Sequence, residues 1–152
     1  MIDERTAIRE ASLADVEYIA RNLRLADISE ILAYKLLPPD LMAIDTFKRA
    51  AWVRCATFND IPAILYGICP TERADIGVPW MIATNDMMQF KKYFVSNCAN
   101  EMHAMQNTFP KLLNVVHREN LLSRRWLSWL GFMIHPKLCG VNNQFYLFSR
   151  GF

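Results

Sequence analysis

Seven consecutive residues, Val78-Pro79-Trp80-Met81-Ile82-Ala83-Thr84, form a near-continuous apolar run. A strand with one wet face alternates apolar and polar side chains, whereas a strand apolar at nearly every position is covered on both faces. This chain therefore needs a central strand with helices packed above and below it. Pro79 fits that strand near its start, where a missing N–H removes least from the ladder.

The flanking sequence supplies the other parts. Upstream, Thr6 to Glu10 reads as a short strand. Ser12 can cap the following helix with Asp15 three residues on, and Leu13, Val16, Ile19, Ala20 and Leu23 recur at helical spacing as its buried face. Asp27 or Ser29 could cap a second helix to about Leu36, stopped by Pro38 and Pro39. A third helix is expected over Asp40 to Ala51. Trp52 to Thr57 and Ala63 to Ile68 flank the turn pair Asn59-Asp60 and predict an antiparallel hairpin. Thr71 to Gly77 reads as a polar loop.

Downstream of the central run, Asn85 or Asp86 is expected to cap the longest helix, to about Asn107, with Phe90, Phe94, Cys98, Met102 and Met105 along one stripe. After Pro110, Leu112 to Val116 predicts a strand. Leu121 to Leu130 predicts a helix closed by Gly131, the residue favoured just past a C-terminus. Phe132 to Ile134 and Gln144 to Phe148 complete the sheet. The order is that of an α/β protein with a mixed sheet flanked by helices, in a single domain over residues 1–152.

Composition narrows the function classes. The 152 residues are 53% hydrophobic and 21% charged, enough apolar material for a full core and too much for a disordered chain. A net charge of +2 is too small a basic excess to make nucleic acid the main partner. No apolar stretch has the length of a membrane span, and the N-terminus lacks the order of a secretory signal, so a soluble, intracellular protein is expected. Cys55, Cys69, Cys98 and Cys139 are too far apart for one turn to deliver two thiolates to a metal, and they read as buried free thiols. No metal site is expected. His117, near a strand end, reads as a structural hydrogen-bonder.

Two segments carry a family resemblance. Ile8-Arg9-Glu10-Ala11 with Asp15 and Ile19, and Asn120-Leu-Leu-Ser123-Arg-Arg-Trp126-Leu127-Ser-Trp129-Leu130-Gly131-Phe132, resemble the opening and the late asparagine-to-Gly-Phe motif of the GNAT N-acetyltransferases. The resemblance implies a GNAT-like fold. It also implies acetyl-CoA as cofactor, the main chain of Met81, Ile82 and Ala83 holding the pantetheine arm as an added strand, and Asn120 and Ser123 near its end. That arrangement requires a V-shaped opening between the strands at Val78–Thr84 and Leu112–Val116.

Two departures cut against catalysis. The family's diphosphate loop uses small residues so that backbone N–H groups can approach the anion at a helix start. Here Met81 to Phe90 contains no glycine, Asp86 puts a like charge there, and Met87 and Met88 add bulk. The charge alone costs on the order of 1 kcal/mol. Seven positions after Asn120, where active members often carry a tyrosine that protonates the leaving thiolate, stands Leu127. Tyr93 and Tyr146 are the phenols that could replace it. No catalytic residue is assigned.

A narrower resemblance runs through Val78 to Asp86, Phe90 to Phe94, Asn114 to Val116, Asn120, Trp126-Leu127, Gly131-Phe132 and Gln144 to Phe148. These segments are similar to degenerate GNAT-like proteins of tailed bacteriophages, of the internal virion protein A type. That resemblance implies a non-catalytic structural or assembly protein of the virion's inner core, without cofactor. Its partners would be other virion proteins or a second copy, and its location the host cytoplasm during assembly and the virion. The aromatic end, Phe145 to Phe148 with Phe152, reads as an edge strand through which such docking would run. Trp126 and Trp129 share a helix face, one expected on the sheet and the other available to a partner. Lys91-Lys92 and Arg124-Arg125 read as solvated helix faces, and most of the methionines as core. The alternative is a divergent acyl-CoA-dependent N-acyltransferase using Met81, Ile82, Ala83, Asn120 and Ser123.

Overall fold

A computed structural model describes residues 5–34 and 38–152, without the side chains of residues 34 and 88–95. The elements run β1 (Thr6–Glu10), α1 (Leu13–Arg21), α2 (Leu25–Tyr34), α3 (Pro39–Arg49), β2 (Trp52–Phe58), β3 (Ile61–Pro70) and β4 (Ile76–Ala83). A 3-10 segment (Asn85–Phe90), α4 (Lys91–Thr108), β5 (Lys111–His117), α5 (Leu121–Trp129), β6 (Met133–Cys139) and β7 (Phe145–Arg150) follow. The seven strands lie in the order β1-β2-β3-β4-β5-β7-β6. All neighbours are antiparallel except β4 and β5, which α4 connects as a parallel crossover.

Local signals set several of these boundaries. Ser12 and Asp15 form a reciprocal capping box at the start of α1. Asn59 and Asp60, with φ of 50° and 64°, make the tight turn between β2 and β3, its twist matching that of the strands. Gly131, with φ of 90°, follows α5 and lets Phe132 N–H donate back to the Leu127 carbonyl at 3.0 Å.

Helices cover both faces of the sheet, as the central apolar run requires. Val16 and Ile19 of α1, Ile31 of α2 and Ala43 of α3 pack with Val53, Cys55, Leu65 and Ile82 on one face. Cys98, Met102 and Met105 of α4, with Trp126 and Leu127 of α5, pack with Ile64, Tyr66, Ile68, Ala83, Leu112 and Phe148 on the other. Successive β4 residues thus enter different cores. The four cysteines are free thiols. Among the described residues no helix is long and apolar enough to cross a membrane.

Several expectations need correction. Leu13 is exposed, because it opens the helix ahead of the turn that Val16 and Ile19 bury. The second helix starts at Leu25, so Asp27 and Ser29 lie inside it. Its expected end at Leu36 and the side chains of Phe90 and Phe94 fall outside the described residues. The strand replaces the loop from Ile76 onward, which puts Pro79 in mid-strand. Asn85 and Asp86 open a 3-10 segment, and α4 begins only at Lys91. The aromatic last strand is not an edge. Having crossed by α5 and β6, the chain returns between β5 and β6, where Phe145 is fully buried.

Asp15 ties the first strand to the first helix. Its carboxylate accepts from Arg9 Nη1 and Nη2 at 2.6 and 2.8 Å and from Ser12 N at 2.8 Å. The Arg9 guanidinium, followed by the Ser12 bonds, holds the carboxyl below its ordinary range despite burial. A depressed carboxyl contributes stability that is present above its unfolded value and lost as pH falls through the folded one. Asp15→Asn should therefore lower stability by about 1–2 kcal/mol at pH 7. In urea titrations the gap to the natural protein should close as pH is taken below about 4; a gap constant with pH would refute the assignment.

Candidate functional site

The sheet opens at its middle. β4 and β5 pair only at Ile76 with Lys111 and Gly77 with Leu112 and then separate. At this vertex a side chain on Gly77 would meet the Phe109 ring at 2.5 Å, so glycine lets that ring seat against β4. One polar bridge spans the diverging strands, where Asn114 Nδ2 donates to the Pro79 carbonyl at 2.7 Å. Beyond it lies a cavity of about 400 Å³, within the range of small-molecule sites. It is walled by α2 and α3 on one side and by α4 and α5 on the other. Met81, Met102, Met105, Phe132 and Phe148 line it without closing it.

Strand alternation decides which β4 groups face this opening. Thr84 N–H donates to the Ala63 carbonyl at 2.9 Å, directing its donor at β3, and Ile82 and Trp80 share that direction. Pro79, Met81 and Ala83 point their main-chain groups the other way. A proline is therefore tolerated in mid-strand, because its missing N–H lies on the unpaired edge. The Pro79 carbonyl is taken by Asn114. Ala83 is taken on both sides, its N–H donating to Asp27 Oδ2 at 2.8 Å and its carbonyl accepting from Arg24 N at 2.9 Å. Met81 is left as the position whose N–H and C=O face the splay. Of the three residues expected to bind a pantetheine arm, Met81 and Ala83 thus lie on the open edge, and Ile82 offers its side chain to the cavity wall but its main chain to β3.

Helix α2 straps the mouth of the V. Asp27 holds the end of β4 and pairs with Arg24 at 2.9 Å, both largely buried. One turn on, Glu30 Oε2 accepts from Asn120 Nδ2 at 2.9 Å. Asn120 caps α5 by accepting from Ser123 N at 3.3 Å, so these two expected residues do sit together at the cavity wall. Burial pushes the Glu30 carboxyl above its ordinary range, opposed by the Asn120 bond. Across the sheet, Tyr66 reaches the cavity beside Glu101, and burial pushes its phenol up. Glu101 is in turn paired with Arg54, whose guanidinium lies 4.7 Å over the Trp52 ring.

The remaining candidates divide clearly. Leu127 lines the cavity and can donate no proton. Tyr146 packs under the Arg124 guanidinium, 4.6 Å from ring centre, away from the cavity wall; Arg124 is thereby held against the protein. The side chains of Tyr93, Lys91, Lys92 and Met88 are outside the described residues. His117 accepts from Glu119 N at Nδ1, contacts Gln144 Oε1 at 3.1 Å through Nε2 and packs edge-on against Phe145. This is a structural network. Trp126 packs in the core, while Trp129 and Met133 are exposed.

At the end of β4 two of the amides that an anion could use are engaged. Asp86 N–H donates to Thr84 Oγ1 at 3.2 Å and Met87 N–H to the Thr84 carbonyl at 3.1 Å. The missing glycines and the acidic Asp86 are thus joined by a geometric obstacle. Sequence reading missed Arg24, Asp27 and Glu30 as site residues, because an apolar helix with two acids gives no sign of facing a split sheet.

No protein-family model and no curated protein sequence matches this chain. Solved structures do match in fold. Ard1 from Thermoplasma volcanium is 16% identical, with 96% of this chain and 97% of that one covered at a TM-score of 0.68. Spermidine N-acetyltransferase from Vibrio cholerae, crystallised with CoA and spermine, is 13% identical over 97% and 96% at 0.66. The ribosomal-protein-S18-alanine N-acetyltransferase from Escherichia coli is 12% identical over 95% and 92% at 0.64. The chain has the GNAT acetyltransferase fold, with a mixed seven-stranded sheet and five α-helices among the described residues.

Removing Asp27 tests the strap. Asp27→Ala would leave the Arg24 guanidinium buried without its partner and the Ala83 N–H without an acceptor. It should cost about 3–5 kcal/mol in urea unfolding and raise hydrogen exchange at the Ala83 amide. A loss under about 1 kcal/mol would show that α2 is held by other means.

Proposed function

We propose that this protein transfers an acyl group from a pantetheine thioester such as acyl-CoA to an amine. The observation that carries this reading is the opening between β4 and β5, with the Met81 main chain on its edge beside a cavity of about 400 Å³. Low-identity likeness supplies the fold, and this opening supplies the reason to expect a ligand in it.

The fit of the thioester donor is uneven along its length. Met81 N–H and C=O would bond the amides of the pantetheine arm as a short added strand, with the apolar wall of Met102, Met105 and Leu127 around the acyl end. Ala83 can join only if Asp27 and Arg24 release it. The diphosphate would find the Asp86 and Met87 amides already bonded to Thr84 and a carboxylate at Asp86. Binding therefore rests on the arm and acyl group more than on the nucleotide. When bound, the donor supplies a thioester whose carbonyl carbon bonds the amine nitrogen as the C–S bond breaks, giving amide and thiol. The chain's own part is to hold the arm straight, to exclude water with an apolar wall, and to hold a carboxylate, Glu30, and a phenol, Tyr66, on opposite sides of the cavity.

Incubation with acetyl-CoA or S-acetylpantetheine and a panel of amines, read as thiol release, tests turnover. The expected result is amine-dependent release, with the truncated donor within about tenfold of acetyl-CoA, because the lost nucleotide makes few productive contacts. Met81→Pro removes the N–H on the open edge while sparing the β3 ladder, as Pro79 already does. It should weaken donor binding about 3- to 10-fold, the worth of one hydrogen bond, with the fold retained.

A second reading, a virion assembly protein whose acetyltransferase fold is silent, is supported by the engaged amides at Asp86 and Met87. It also draws on the exposed Trp129, Met133 and Phe152, which a docking partner could cover. It expects no binding of either donor at millimolar concentration and capture of other virion components instead. Micromolar donor binding would exclude it.

A further inference from the structure

The small net charge of the chain conceals an uneven distribution. Residues 109–152 carry six lysines and arginines against one acid, Glu119, a local excess of +5, while residues 1–108 are net −3. Arg118, Arg124, Arg125 and Lys137 take part in no ion pair among the described residues. Arg124 is engaged in another way, over the Tyr146 ring and donating to the Arg118 carbonyl at 2.8 Å. Arg118 and Arg125 are exposed.

Helix α5 brings part of that charge together with apolar surface. Its inner side, with Trp126 and Leu127, packs in the core. By helical geometry Leu121, Arg125, Trp129 and Leu122 fall within about 100° of arc on the outer side. Leu121, Leu122 and Trp129 are 56%, 51% and 62% exposed. The outer face is therefore apolar and basic, and α5 contains no acid to balance it. A single helix standing outward is convex and offers no groove to a partner helix. Two leucines contribute little to a nucleic acid contact, which rests on phosphates and base stacking. A lipid interface moulds itself to a convex face, takes up leucine and tryptophan, and meets arginine with headgroup phosphates.

We propose that the outer face of α5 docks on an anionic lipid surface. Leu121, Leu122 and Trp129 enter the interface, while Arg125 and Arg118 lie at the headgroup phosphates. The protein rests on the bilayer and does not cross it through this helix. Ser123, Trp126 and Leu127 of the same helix line the cavity, so docking holds that cavity about 10 Å, one helix diameter, from the headgroups.

Flotation of the full chain with vesicles tests this. Phosphatidylcholine vesicles containing roughly 30% phosphatidylglycerol should bind at least tenfold more tightly than phosphatidylcholine alone, and about 0.5 M sodium chloride should remove most of the difference. Arg125→Glu should weaken binding to the anionic vesicles roughly 10- to 30-fold, with Arg125→Lys near the natural level. Trp129→Ser combined with Leu122→Ser should weaken it roughly tenfold. Tryptophan emission should shift to the blue on binding, and Trp129→Phe should lose most of that shift while still floating. All of these side chains are exposed, so urea midpoints should be unchanged. Should the double variant not fold, the two vesicle compositions and the Arg125 pair decide alone. Equal binding to both vesicles, or none to the anionic ones at millimolar lipid, overturns the proposal. A dimer in ultracentrifugation that Trp129→Ser disperses would give the face to a second copy and overturn it. So would tighter binding to a single-stranded oligonucleotide than to anionic vesicles, lost in Arg125→Glu and kept in Leu122→Ser.

Discussion

Two parallel strands that pair for two residues and then part impose the organisation of this molecule. In a continuous sheet the main-chain groups of Pro79, Met81 and Ala83 would bond to β5. Here the strands diverge after Gly77 and Leu112, and each of those groups must find a partner elsewhere. The protein answers most of them locally: Asn114 takes the Pro79 carbonyl, and Asp27 with the Arg24 amide takes Ala83. Met81 remains. An unanswered main-chain position beside a cavity is a place where an extended ligand can complete the sheet.

The same constraint explains the polar residues around the opening. Asp27 and Glu30 lie one turn apart on α2, so one helix face reaches the end of β4 and the start of α5 together. Arg24 offsets the charge of Asp27, and both side chains are largely buried. Burial disfavours the ionised form of Glu30, opposed by its bond from Asn120 and, more weakly, by His117. A polar recess of this kind carries a cost in stability that the apolar cores on either side of the sheet must offset.

Much of the fold was legible because its signals are local. Ser12 with Asp15, Asn59-Asp60 and Gly131 each act over a few residues, and the apolar run around Ile82 required cover on both faces. The α/β class and the splayed pair of strands followed from those elements and the family likeness. What stayed hidden depends on distant partners. Asp27 meets Ala83 across 56 positions, and Glu30 meets Asn120 across 90. Neither pair leaves a mark in local spacing. The last strand misled for a related reason: its aromatic residues suit an edge or an interior equally, and only the return of the chain between β5 and β6 decides. Met81, by contrast, was visible in the sequence as part of the central strand, while its distinction from Ile82 came from ladder alternation.

The central claim is that the Met81 edge of the split sheet accepts a thioester arm. Amide NMR during titration with S-acetylpantetheine reads that edge without requiring turnover. The account predicts a saturable downfield shift of the Met81 amide as it gains an acceptor, with the Ile82 amide, bonded to β3, nearly unmoved. A Met81 resonance that stays in place at millimolar ligand, or saturable shifts confined to residues away from the opening, would contradict it.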